Sequence, residues 1–198
     1  RKRDGCVASA DVGFHRLRIN IKDLALDKVP EFQQAPHCGH SKMAETRELI
    51  GMGKHLCGAC TDFALSCLTN RLPQHMRCSA ILIATCCHQL CELRHLNVVP
   101  DGCCSGGGVA LFGESFSEVE FAAIVSMTSW AVCGAHIVDD QRRDVGWCCK
   151  RLIDALRLQY VKEKGGMDHV EMHEYVDSSI SKENVCIVAW RNPTTTTT

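Results

Sequence analysis

The sequence predicts an α/β protein, with helices packed on a sheet that is at least partly parallel. Three observations carry that reading. Two short apolar runs, 48–52 and 79–85, each end abruptly in polar, cysteine-rich residues, as buried parallel strands do when their carboxyl ends face a site. One amphipathic segment lies between them, and strands alternating with helices imply parallel pairing. Two β-type segments, 169–176 and 184–190, follow a long helical stretch. The connection between those two is short enough for antiparallel pairing.

Taken in order, Leu17, Ile19 and Ile21 alternate with Arg18 and Asn20, which predicts a strand with 20–24 at its carboxyl end. Residues 27–46 carry Pro30, Pro36 and Gly39 and read as loop. The first cysteine-rich strand then runs through Leu49-Ile50-Gly51-Met52 into Gly53-Lys54-His55-Leu56-Cys57-Gly58. Thr61-Asp62 predict the cap of a helix whose face is Phe63, Leu65, Cys67 and Leu68, ended by Pro73. The second strand runs through Ile81-Leu82-Ile83 into Cys86-Cys87-His88 and then Cys91. Residues 97–118 hold Gly102 and Gly106-Gly107-Gly108 and read as a flexible lid or linker. A helix is predicted over 118–133, weakened by Ser126, Thr128 and Ser129. From Asp144, the residues Val145, Cys149, Leu152, Ile153, Leu156 and Tyr160 recur at helical spacing until Gly165-Gly166. No internal repeat is visible. Residues 1–13 read as a flexible segment, 14–190 as the domain, and 191–198, with five threonines, as a disordered tail.

A length of 198 residues suits one domain with a real core. The fractions, 45% hydrophobic and 23% charged, are those of a soluble protein. No apolar run approaches the roughly 20 residues of a membrane helix. The start, Arg1-Lys2-Arg3-Asp4, is no signal peptide, and the chain reads as a fragment of a longer protein. A net charge of −1 argues against strong general affinity for nucleic acid but leaves room for a local basic face. Fifteen cysteines, an odd number that includes three adjacent pairs, do not resemble a small secreted disulfide scaffold. They predict mostly buried free thiols in a reducing intracellular compartment, cytoplasm or nucleus.

Several patterns are candidates for chemistry. Cys57-Gly58-Ala59-Cys60 follows a strand and opens a helix, as a thiol oxidoreductase pair would, but no second element of that pattern is present. Cys57, Cys60, Cys87 and Cys91 would converge on zinc if the two strands are neighbours, with His88 able to substitute. With fifteen cysteines, chance spacings are expected. Cys38-Gly39-His40 reads as a polar loop. Lys54 and His55 end one strand and His88 follows the other. Buried lysines need partners and histidines are more often structural than catalytic, but ligands gather at such strand ends. Ser129-Trp130 and Arg142-Arg143 would contact RNA by stacking and phosphate pairing. The plainer alternative is a core tryptophan and a solvated turn.

The stretch Gly53-Lys54-His55-Leu56-Cys57-Gly58, continued by Thr61-Asp62 and Ala64-Leu65, resembles a signature of the eukaryotic tRNA 2′-O-methyltransferases that act on the acceptor stem (the Trm-thirteen type). Cys86-Cys87-His88 with Cys91, Ser129-Trp130-Ala131, Leu152-Ile153-Asp154 with Arg157 and Tyr160, and Glu183-Asn184-Val185 resemble later blocks in the same order. The resemblance runs from about Arg16 to Ala189. It implies a class I S-adenosylmethionine methyltransferase-like, Rossmann-like sheet lacking its first strands, so that 14–190 is a partial methyltransferase domain. It implies S-adenosylmethionine as cofactor, tRNA as partner, and no membrane. Lys54, His55 and His88 are the implied catalytic residues; Asn20, Asp23, Gly53, Cys57 and Gly58 are the implied cofactor-side residues. The family's cofactor strand and Gly-rich turn lie upstream of the aligned region, Asn20 stands where an Asp is usual, and Gln89-Leu90 replace a His-Arg, which removes a cation. The alternative reading is a non-catalytic zinc- or RNA-binding module that kept the fold. In either case a sheet without its first strands exposes an edge and an apolar face.

Overall fold

A mixed sheet organises the chain. The computed structural model describes residues 15–33, 46–96, 109–111, 114–133 and 138–193. Its strands are β1 (Arg47–Gly53), β2 (Met76–Ala84), the short hairpin β3 (Val109–Leu111) and β4 (Glu114–Phe116), β5 (His169–Glu174) and β6 (Val185–Trp190). The helices are α1 (Pro30–Gln33), α2 (Ala59–Asn70), α3 (Glu118–Met127) and α4 (Asp140–Gly165). The main sheet has the order β1-β2-β6-β5. β1 lies parallel to β2, while β6 is antiparallel to both β2 and β5.

The core forms on one face of this sheet. Leu65 of α2, Phe121 and Val125 of α3, and Ile153, Leu156, Tyr160 and Val161 of α4 pack with Ile81, Ile83, Ile187 and Ala189. Strand alternation sends the intervening residues to the opposite face. There Ile50 is 63% exposed, Met52 75% and Leu82 41%. β1 is an edge strand among the described residues, so the expected buried strand is correctly placed and parallel but is open on its outer edge and on one face.

Local chemistry sets the helix ends. Asp139 caps α4 by accepting the Arg142 N–H at 2.8 Å, and Gly166 closes it in the left-handed region at φ 58°. Arg191 then donates to the carbonyls of Gly165 and Gly166 at 2.5 Å each and to Cys78 at 2.9 Å, tying the end of α4 to the start of β2. Ser117 and Glu120 form a reciprocal capping box at α3. At the far end of α2, the Tyr160 hydroxyl lies 2.8 Å from the Thr69 hydroxyl and accepts from Asn70 at 2.7 Å.

Two element predictions are corrected. Residues 17–21 do not form a strand. The alternation is real, but no described strand lies beside it to share a hydrogen-bond ladder. Asn20 instead accepts the Lys22 N–H at 3.2 Å and turns the chain into a 3-10 turn, Ile21–Asp23. Thr61 and Asp62 do not cap α2; the helix begins after Gly58, and both residues are buried in its first turn. Of the expected tail, Arg191 and Asn192 are held by hydrogen bonds. Residues 194–198, residues 1–13, the Cys38-Gly39-His40 loop and most of the expected lid lie outside the described residues.

Leu156 has no exposed surface at the centre of this core. Leu156→Ala is expected to cost about 2–5 kcal/mol by the lost transfer energy and the cavity left behind. Urea unfolding of the two forms checks this; a cost under about 1 kcal/mol would mean the core is not packed as described.

Candidate active site at the strand ends

Parallel pairing of β1 and β2 brings their two carboxyl ends together, as the strand pattern predicts. After Gly53 the chain crosses Lys54 and His55, the latter at φ 60°, and enters α2 through Gly58 at φ 53°. A Cβ at Gly58 would lie 2.6 Å from both the Cβ and the carbonyl oxygen of Leu90. Only glycine fits there without strain. After β2, Thr85 is buried and Cys87 adopts the left-handed conformation, φ 51° and ψ 47°. The Gly58 N–H donates to the Cys86 carbonyl at 3.4 Å and joins the two turns directly.

Beneath these turns lies a buried polar network. The Arg157 guanidinium donates Nε–H to Asp62 Oδ1 and Nη2–H to Asp62 Oδ2, each at 2.9 Å. It also reaches the Gly58 carbonyl at 3.0 Å, the Cys91 sulfur at 3.2 Å and Asp154 Oδ1 at 3.4 Å. Asp154 Oδ1 lies 2.8 Å from His88 Nε2, and its other oxygen accepts from Arg151 at 2.9 Å and Thr85 at 3.3 Å. Burial works against ionising Asp154, but the His88 ring, Arg157 and Arg151 outweigh it and hold its pKa down at about 2. Burial also pushes the His88 imidazole below its ordinary value, against the pull of Asp154. The ring is therefore neutral near pH 7, with its Nε2–H donated to the carboxylate. Arg157, between two carboxylates, stays charged: burial opposes this, and Asp62 foremost overcomes it.

On the bare face of the sheet, the same strand ends open into a cleft of about 410 Å³ lined by Met52, Gly53, Lys54, Leu82, Ala84, Tyr175 and Cys186. Lys54 and His55 are exposed at this end. His88 is not at the cleft. It has no exposed surface and faces α4. Asn20 and Asp23 do not reach the cleft either; their turn packs on α2, where Arg71 donates to the Lys22 carbonyl at 3.0 Å. The four cysteines considered for zinc do not converge. Cys91 faces Arg157, and the thiols that gather are Cys57, Cys86 and Cys87. All cysteines among the described residues are free thiols, as expected. Arg142 lies over the half-buried Trp130 ring, 5.7 Å from its centroid, and Arg151 over Trp147 at 5.5 Å. No described helix is long and apolar enough to cross a membrane.

A model of the family described as Methyltransferase TRM13 matches residues 1–142 and 135–190, so nearly the whole chain lies within the match. The chain belongs to the TRM13 methyltransferase family. Among its relatives, the tRNA:m(4)X modification enzyme TRM13 of Yarrowia lipolytica is 30% identical over 202 residues, covering 87% of this chain and 39% of that protein. The TRM13 enzyme of Schizosaccharomyces pombe is 30% identical over 192 residues, 89% of this chain and 46% of that protein. The human TRM13 homolog is 26% identical over 271 residues, 96% of this chain and 52% of its own length. The chain thus spans between two-fifths and about half of these TRM13 relatives. No solved structure matches it.

Two outcomes test this geometry. In the unfolded chain His88 titrates near its ordinary 6.5, while in the folded chain burial keeps it neutral to lower pH. The unfolded state therefore binds the extra proton, and stability falls as pH drops through about 6.5. The melting temperature is expected to decline from about pH 7.5 to about 5.5, and His88→Gln to flatten part of that decline; identical declines would remove the assignment. Gly58→Ala is expected to cost at least about 1–3 kcal/mol through left-handed strain and collision with Leu90, measured by chemical unfolding.

Proposed function

We propose that this chain is the carboxyl-terminal part of a class I methyltransferase domain that transfers methyl from S-adenosylmethionine to a ribose 2′-hydroxyl in the tRNA acceptor stem. Family membership supports methyl transfer, and the names of the relatives support tRNA as the substrate class. A parallel pair followed by an antiparallel closing pair is compatible with the second half of such a sheet. The single observation that carries the site is Lys54, the one charged side chain among the described residues lining the strand-end cleft.

The cleft suits the donor in part. Met52, Leu82 and Ala84 offer an apolar floor, and Gly53 leaves backbone accessible beside it. No carboxylate stands among the described lining residues to receive the donor's hydroxyls. Gly53, with the Cys57–Gly58 turn next to it, is the cofactor-side element of this reading. Bound there, S-adenosylmethionine would supply an activated methyl group with a neutral leaving group. Because the donor is already activated, the protein's task is mainly to position and to stabilise charge.

Lys54 stands where a cation would stabilise negative charge developing on the ribose oxygen, or where its free amine would accept the hydroxyl proton. His55, exposed one residue on, is the second group able to take that proton. His88 has a different role in this reading: it fixes the second turn through Asp154. The Arg-on-Trp pairs at Trp130 and Trp147 support contact with a polynucleotide. Free thiols throughout the described residues support a reducing compartment.

The test is transfer of labelled methyl to tRNA by the natural protein that carries this sequence, read after digestion as 2′-O-methylated nucleosides. Lys54→Ala is expected to lower kcat by about 10²–10⁴-fold with unchanged melting, because the side chain is exposed. Wild-type turnover would remove the role from Lys54. Methyl on a base rather than a ribose would overturn the 2′-hydroxyl assignment.

A further inference from the structure

The thiols that gather at the strand ends are not the set that sequence spacing suggests, and the proposed transfer gives their sulfur atoms no role. Cys57 comes from the turn after β1; Cys86 and Cys87 come from the turn after β2. Their three sulfurs all lie within 4.8 Å of one another, and Cys57 Sγ stands 3.6 Å from Cys86 Sγ. We propose that Cys57, Cys86 and Cys87 bind a zinc ion as three thiolates, leaving one coordination position for an exchangeable water.

Geometry favours an ion over the other fates of close cysteines. Zinc–sulfur bonds of about 2.3 Å in a tetrahedron separate the sulfurs by about 3.8 Å. The Cys57–Cys86 separation is close to that value, and far from the roughly 2.05 Å of a disulfide. Three thiols from two separate turns also suit a metal better than a two-cysteine exchange reaction.

The backbone around the sulfurs is held in conformations that L-residues seldom adopt. The two described non-glycine residues with positive φ are Cys87, a member of the cluster, and His55, two residues before Cys57. Such positions persist where the surrounding structure enforces them and gather at functional sites. Without an ion, the cluster is poorly satisfied. The Cys57 thiol lies 3.6 Å from Cys86 Sγ and 3.7 Å from the His55 carbonyl, both weak sulfur contacts. A dication reverses that by drawing off their protons, three S–H protons being released as three Zn–S bonds form.

Histidine does not complete the set. His88 follows Cys87 directly, but its Nε2 is committed to Asp154 and the ring is not among the clustered ligand atoms. Cys57 and Cys87 are only half-buried, so the remaining position faces solvent. A site with three protein ligands and one water is the arrangement that keeps zinc exchangeable at its fourth position. The ion would also cross-link the turn that carries Lys54 to the turn after β2.

Cobalt(II) titration of the fully reduced chain under anaerobic conditions tests the proposal. One equivalent is expected to give thiolate charge-transfer and tetrahedral d–d bands, displaced by one equivalent of zinc. Cys57→Ser, Cys86→Ser and Cys87→Ser are each expected to weaken binding at least about 10-fold, while Cys60→Ser and Cys133→Ser leave it unchanged. Bands that survive Cys86→Ser, or that are lost in Cys60→Ser, would overturn it. X-ray absorption of the zinc-loaded wild-type chain does not depend on the folding of any variant. Three sulfurs and one oxygen around the metal are expected; four sulfurs, or no bound zinc, would overturn the site.

Discussion

The buried guanidinium of Arg157 is the constraint on which the rest of the site depends. An unpartnered charge in the interior costs several kcal/mol, so Arg157 is tolerable only with both carboxylates in place. Asp62 takes two of its donors and fixes the first turn of α2 against α4. Its bond to the Gly58 carbonyl fixes the turn after β1. Asp154, shared with Arg151 and His88, fixes the turn after β2. Two guanidinium groups and two carboxylates balance in charge. Removing one partner leaves the others buried and unpaired, so this network specifies geometry more than it adds stability. The strand ends are held from below by charge pairing, and the exposed groups above are free to act.

The elements legible in the sequence were those whose periodicity reports burial. Two β-type segments after the long helix marked β5 and β6, and helical spacing from Val145 to Tyr160 marked α4 with its Gly165-Gly166 stop. Both cysteine-rich strands were placed to within a few residues, and their neighbouring ends followed from parallel pairing. The strand expected at 17–21 failed because alternation describes a chain able to enter a sheet and says nothing about whether an edge is waiting for it. Thr61 and Asp62 have the residue types of a helix cap. Here Gly58 starts the helix one turn earlier and Asp62 belongs to Arg157.

The candidate site was half legible. Lys54 could be found because a charged residue directly after an apolar strand stands out. The network could not, because polar partners distant in sequence leave no local period: Asp62 and Arg157 are 95 residues apart. One signal was available. Lys150, Asp154, Arg157 and Val161 share one stripe of α4, which places three charged residues on the buried side of an amphipathic helix. A charge on such a stripe needs a partner, and Asp62 and Glu183 are those partners. Sequence spacing misses the cysteine grouping for a related reason. Cys-x-x-Cys spacing pairs Cys57 with Cys60, whereas Cys60 lies within α2 outside the group of close sulfurs and the second turn delivers Cys86 and Cys87.

The position of β2 between a parallel and an antiparallel neighbour has a consequence for synthesis. Its partner on one side, β1, is already made when β2 emerges; its partner on the other arrives with residues about a hundred positions later, as the Thr85–Val185 pairing shows. At about 5–20 residues per second, that interval lasts roughly 5–20 seconds. Throughout it, one hydrogen-bonding edge of β2 has no native strand to receive it, even after α4 has been made and can cover Ile81 and Ile83. The nascent chain must pass this period with that edge of β2 open, a natural stage for a holding chaperone and for mispairing between neighbouring chains on a polysome.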